Sequence, residues 1–170
     1  TDYSTFFRIK THIISALLRD PETDWRPILK ELCNELYPVT GEAICKFLTL
    51  QEDLLKEKGK ALPLYEGVSK ASKIYLPAAE FEQFHDELMS LIMQIKDPER
   101  AEIRRMTQSM MLTRLELKRI NSDTVGCARL LDGLDRLKSQ GIVTYSESGA
   151  NIDSYIKEYR YMLNQAKDTG

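Results

Sequence analysis

The chain has 170 residues, with 24 lysines and arginines against 26 aspartates and glutamates and a net charge of −2. Hydrophobic residues make up 42% and charged residues 29%, the composition of a folded domain that buries roughly 70% of its unfolded surface. These values exclude a nucleic-acid binder driven by bulk positive charge and an acidic disordered segment, and no apolar run approaches the ~18 residues of a membrane span.

The first predicted helix covers residues 4–19. Phe6, Ile9, Ile13, Ala16 and Leu17 recur every three or four positions, and Ile14 and Leu18 widen the stripe. Asp20-Pro21 stops it, because a residue before proline is pushed out of the α region. Thr23 or Asp24 caps a second helix over 25–37, with Pro27 in the first turn, where no N–H partner is required. Its inward positions are Ile28, Leu29, Leu32, Cys33 and Leu36. Thr40 is the expected cap of a third helix reaching Lys58, with Ile44, Phe47, Leu48, Leu54 and Leu55 as its stripe and Gly59 as its C′ residue.

Residues 60–76 read as the longest irregular stretch and as the candidate internal seam. They hold Pro63, Gly67, Tyr65 and Tyr75, and a loop of this length is often functional. A fourth helix is expected from Pro77 to Lys96, striped by Phe81, Phe84, Leu88, Leu91, Ile92 and Ile95. Asp97-Pro98 opens a fifth, to Ile120, presenting Ile103, Met106, Met110, Leu117 and Ile120, with Met111 and Leu115 alongside. After a break at 121–123 a sixth helix runs to Gln140 with Leu130, Leu131, Leu134 and Leu137 inward and Gly141 at C′. Residues 142–145 suit an extended segment. A seventh helix, 152–166, carries Tyr155, Ile156, Tyr159, Met162 and Leu163. Seven helices with mostly short connections predict an all-α fold, a single domain over 1–170 built as an irregular, mostly antiparallel bundle.

Little in the sequence carries chemistry. Cys33, Cys45 and Cys127 form no CxxC pair and read as small buried apolar residues rather than a zinc or disulfide framework. His12 and His85 are too far apart for a metal site, and no metal or cofactor is expected. There is no glycine-rich phosphate loop, HExxH or GxSxG. Glu52-Asp53 and Glu80/Glu82 are carboxylate pairs, read first as solvated surface and only second as a catalytic pair. Arg100, Arg104, Arg105, Arg114, Lys118 and Arg119 on the fifth helix read as an ion-paired face, with an anionic partner surface as the alternative. Trp25, the sole tryptophan, either packs at the start of its helix or stacks on a sugar ring. Tyr65 and Tyr75 join it as candidate glycan or interface contacts.

One ordered pattern is more specific. A helix ends in Leu17-Leu18-Arg19-Asp20-Pro21. Ile28-Leu29-Lys30-Glu31-Leu32-Cys33-Asn34-Glu35-Leu36-Tyr37 follows, and then Ala43-Ile44-Cys45-Lys46-Phe47-Leu48. This resembles the helical region after the catalytic barrel in uncharacterised bacterial glycoside-hydrolase-like proteins, a domain-of-unknown-function family similar in arrangement to α-glucuronidases. The resemblance extends through 81–95, 102–120, Gln140-Gly141-Ile142 and 152–163. Arg19 stands where that family has tryptophan, Tyr37-Pro38-Val39 replaces its glycine turn, and 65–75 lacks its histidine-containing stretch.

The resemblance implies a non-catalytic accessory region of an exported, carbohydrate-active protein. Its partners would be an upstream catalytic barrel in the same polypeptide, and a glycan or a homodimer mate, with no nucleic acid and no membrane span. No catalytic residue transfers to this chain. The opening Thr1-Asp2-Tyr3, which lacks a Met, reads as a cut end of something longer. The other reading is a stand-alone helical interaction or regulatory module. An apolar patch near Thr1, on the first two helices, is the expected signature of the accessory region; an all-polar exterior, with a partner held by the Arg-bearing helix or a groove between helices, is that of the module.

Overall fold

A computed structural model describes residues 6–61, 67–138 and 151–168. Their architecture is all-α, without a strand among the described residues. The helices are α1 (Phe7–Arg19), α2 (Trp25–Leu36), α3 (Gly41–Glu57), α4 (Val68–Ile74), α5 (Ala78–Leu91), α6 (Glu99–Ile120), α7 (Thr124–Lys138) and α8 (Ile152–Asp168). Successive helices pack as neighbours: α1 on α2, α2 on α3, α5 on α6, α6 on α7 and α7 on α8, with α3 also against α5 and α4 against α6.

Two apolar clusters form the interior. The larger draws on α1 to α6 and includes Ile9, Leu29, Ile44, Phe47, Phe84, Leu88, Ile103 and Met110. Phe47 and Phe84 stack at its centre with ring centroids 4.3 Å apart. The smaller gathers Leu115, Cys127, Leu131, Leu134, Ile152, Ile156 and Tyr159 from α6, α7 and α8. The 22-residue α6 contributes to both, which is why its apolar residues wrap around more of its surface than one stripe would.

Several local expectations hold. Asp24 caps α2, its carboxylate accepting the Arg26 N–H at 3.1 Å. Gly59 takes φ 58°, the left-handed conformation that closes α3, and the next N–H, of Lys60, reaches back to Leu55 O at 3.0 Å. Asp123 caps α7 by accepting the Gly126 N–H at 2.8 Å.

Other local readings are corrected. The stretch 60–76 is not irregular throughout, because residues 68–74 form α4. Seven residues are too few for a period to show, and α4 is held by tertiary burial of Ala71 and of Leu76 just after it. The helix expected to reach Lys96 stops at Leu91, and Ile95 enters the core from the irregular link that follows. Its fully buried side chain explains why the helical period seemed to continue. Thr40 does not cap α3 with its hydroxyl. Its hydroxyl and N–H donate instead to the Glu99 carboxylate, at 2.8 and 3.0 Å. Met162 faces solvent rather than the core, and so do Ile14 and Leu18. The expected extended segment at 142–145, Leu137's side chain, and Gly141 lie outside what is described.

Gly41 fixes the approach of α3 to α2. A Cβ there would stand 2.3 Å from the Cys33 carbonyl oxygen, so only glycine admits this crossing.

Candidate functional site

α1 is apolar over about half its circumference, taking 100° per residue from Ile9 and Ile13 through Leu17 and Ile14 to Leu18. A surface helix needs an arc of only about 100° to reach a core. Ile9 and Ile13 use that arc. The remainder stays in solvent: Phe7 is 51%, Ile14 55% and Leu18 80% exposed. Phe7, Ile14 and Leu18 are seven and four residues apart and form one line along the helix.

Ile14 of this line also borders a groove of about 270 Å³ between α1, α2 and α3. Ile13, Ile14, Leu17, Trp25 and Leu48 line it, with Lys10 and Glu52 as its polar residues beside them. Trp25 is half-buried, packs against the main core, and has the Arg26 guanidinium 5.9 Å from its ring centre. It is the first residue of α2, beside the Asp24 cap.

The groups that the sequence offered for chemistry are held in contacts between helices. Arg26 of α2 bonds both Glu52 and Asp53 of α3. Burial works against the Glu52 charge, but Lys56 and Arg26 outweigh it and hold the carboxyl below its ordinary value. Glu82 and His85 of α5 face α6, where Arg114 donates to Glu82 at 2.8 Å through Nε and meets His85 Nε2 at 3.1 Å. Arg114 has only donors, so His85 Nε2 accepts and Nδ1 carries the proton shared with Asp86, 3.2 Å away. Burial first, and the Arg114 charge second, lower the His85 pKa and keep the ring neutral. Glu80 lies apart from Glu82, on a separate groove of about 400 Å³ between α3 and α5 whose floor includes Phe47 and Phe84.

The basic face of α6 is ion-paired in part, as expected. Arg119 pairs with Glu116 one turn back at 2.8 Å, and Arg114 and Lys118 reach Glu82 at 2.7 and 3.9 Å. Cys33 and Cys127 are buried and Cys45 is half-buried, all as free thiols. Burial, with Cys45 adjacent, pushes the Cys33 thiol up to about 12. Among the described residues no group of three or more histidine, cysteine, aspartate or glutamate side chains is placed to hold a metal ion. No helix among them is long and apolar enough to cross a membrane.

Of the three predicted contact residues, the structure describes two and places them apart. Trp25 lies on the α1–α3 groove. Tyr75 ends α4, half-buried against the main core. Tyr65 lies outside the described residues. Lys10, Ile14 and Leu18 were not singled out in the sequence for a surface role. The available signal was the excess width of the α1 arc. No protein-family model, no curated protein and no solved structure matches this chain.

Proposed function

We propose that this chain is a non-catalytic helical accessory region that docks against a neighbouring folded domain through α1 and the groove beside Trp25. The observation that carries this reading is the exposed line Phe7, Ile14 and Leu18 on a helix whose other face already packs the core. Three side chains do not exceed in area the largest patch of an ordinary monomer, about 300–600 Å². What distinguishes them is that Ile14, the middle one, also lines an apolar groove. The engagement of Glu52, Asp53, Glu82 and His85 in contacts between helices supports a packing role over a catalytic one.

The sequence resemblance names the neighbour as a glycoside-hydrolase-like barrel, in an exported protein that acts on glycans. That part of the proposal rests on the resemblance alone. A regulatory or interaction module working alone would use the same surface, with its partner on another polypeptide.

Hydrogen exchange tests the reading. The amides of α1 are compared in the isolated chain and in the protein as purified from its source cells, whose intact mass is measured in the same sample. Slowing of α1 exchange by about tenfold or more in the native protein is the expected result. Equal rates in both samples overturn the docking surface. A native mass well above 19.6 kDa supports the barrel reading, and a mass near it favours the independent module.

A further inference from the structure

α3 folds back along α2 after the turn at 37–40, and two contacts fix how the helices are aligned. Near the start of α2, Arg26 bonds Glu52 of α3. At the other end Gly41 lies directly against the Cys33 carbonyl. Seven residues, about two helical turns, lead from Arg26 along α2 to Cys33, and seven lead back along α3 from Glu52 to Cys45. Two whole turns return a side chain to the same face. Cys33 and Cys45 therefore stand at nearly the same level, on the faces by which the two helices meet. The thiols touch, in hydrogen-bond contact with each other. A disulfide joins Cα atoms only about 4.4–6.8 Å apart, and the absent side chain of Gly41 lets α3 settle onto the α2 backbone at that point.

Independently of the docking surface, we infer that Cys33 and Cys45 are a redox pair, closed to a disulfide across the α2–α3 hairpin by a small-molecule disulfide, with Cys45 as the attacking thiol and Cys33 as the resolving one. Cys45 is half-buried, whereas Cys33 is fully buried in the main core, so the oxidant meets Cys45 first. Burial and the neighbouring Cys45 also keep Cys33 protonated, which removes it from the first step. Cys127 belongs to the other apolar cluster, its thiol 3.9 Å from the Leu115 carbonyl, and has no cysteine to pair with.

The Cys45 thiolate attacks one sulfur of the small disulfide, forms a mixed disulfide and releases a small thiolate. Cys33 then gives its proton to that thiolate, and its sulfur attacks Cys45 Sγ and expels the second small thiolate. Two protein thiols are oxidised and one small disulfide is reduced to two thiols. The turn between the helices is already held by α6, through Glu99 to Val39 and Thr40 and Glu102 to Tyr37, so the bond closes without a change of fold.

The full chain is incubated with oxidised glutathione, remaining thiols are blocked with N-ethylmaleimide, and the digest is read by mass spectrometry. The expected product links Cys33 to Cys45, about tenfold or more in excess over any link to Cys127, and its far-UV circular dichroism matches that of the reduced chain. Cys33→Ala accumulates the glutathione adduct on Cys45, and Cys45→Ala leaves Cys33 unmodified over the same time. In urea the three cysteines pair indiscriminately. A lasting adduct on Cys45 of the unaltered chain, with Cys33 still free, overturns the pair. So does the urea mixture of links in the folded chain, or no reaction at any cysteine. Each of these readouts comes from the unaltered chain, so a variant that fails to fold leaves the test intact.

Discussion

Glu99 and Thr40, 59 positions apart, meet in the interior, where one carboxylate oxygen accepts both the Thr40 hydroxyl at 2.8 Å and the Thr40 N–H at 3.0 Å. The same carboxylate takes the Val39 N–H at 3.2 Å. The start of α6 thus supplies the acceptor for the turn that opens α3, and its negative charge sits at that helix's positive end. One turn further along α6, Glu102 accepts the Tyr37 hydroxyl at 2.6 Å.

Replacing Glu99 by alanine strands buried donors and costs about 2–4 kcal/mol. Glu99→Gln keeps an acceptor oxygen and costs less than half as much. Urea denaturation of the two variants measures this. Equal losses for alanine and glutamine would show that the hydrogen bonds do not carry the effect.

Gly41→Ala drives a Cβ into the Cys33 carbonyl, 2.3 Å away, and forces α2 and α3 apart at a cost of about 2 kcal/mol or more. Gly67→Ala is the control. Nothing lies within 4 Å of its Cβ position, so its effect stays within about 0.5 kcal/mol. Thermal melts of the pair separate close approach from any general intolerance of alanine.

Glu116 gives an acid-sensitive contribution. Burial opposes its charge, but hydrogen bonds from Tyr155, Arg119 and Tyr159 outweigh that and hold its carboxyl below the ordinary 4.5. The unfolded chain therefore binds a proton first as pH falls. The contribution is full above about 4.5 and is lost as pH drops through the lower, folded value. Glu116→Gln flattens the pH dependence of the urea midpoint below 4.5. An unchanged slope would remove Glu116 from the account.

His85 titrates below its ordinary 6.5, for burial and the Arg114 charge both disfavour imidazolium. Between the folded value and 6.5 the unfolded chain binds more protons, so this residue adds stability as pH rises through that window. NMR titration of the His85 ring gives the midpoint, and ¹⁵N shifts report the proton on Nδ1. A midpoint above 6.5 would mean that Asp86 outweighs burial.

The tertiary docking reading and the local sequence reading part at α1. Ile14 and Leu18 match the helical period as well as Ile9 and Ile13 do, yet they face solvent. Period alone reports that a side is apolar. It cannot report whether a neighbour in the same chain covers it. The aromatic at Trp25 was legible as a candidate, but its groove needed α1 and α3 to be placed beside α2. The basic face of α6 was legible as ion-paired, while the identity of Glu82 as the mate of Arg114 was not, since 32 positions separate them.

The sequence by itself determined that this is an all-α chain, where most helices begin and end, and which side of most of them turns inward. Those properties follow from local backbone preferences and from apolar spacing within one or two turns, which need no distant partner. Tertiary structure alone decided that α4 exists, that Glu99 rather than Thr40 serves the start of α3, and that Ile14, Leu17 and Trp25 border an open groove. Each depends on groups from separate parts of the chain, brought together by packing of apolar faces, and no local preference encodes the distance between them.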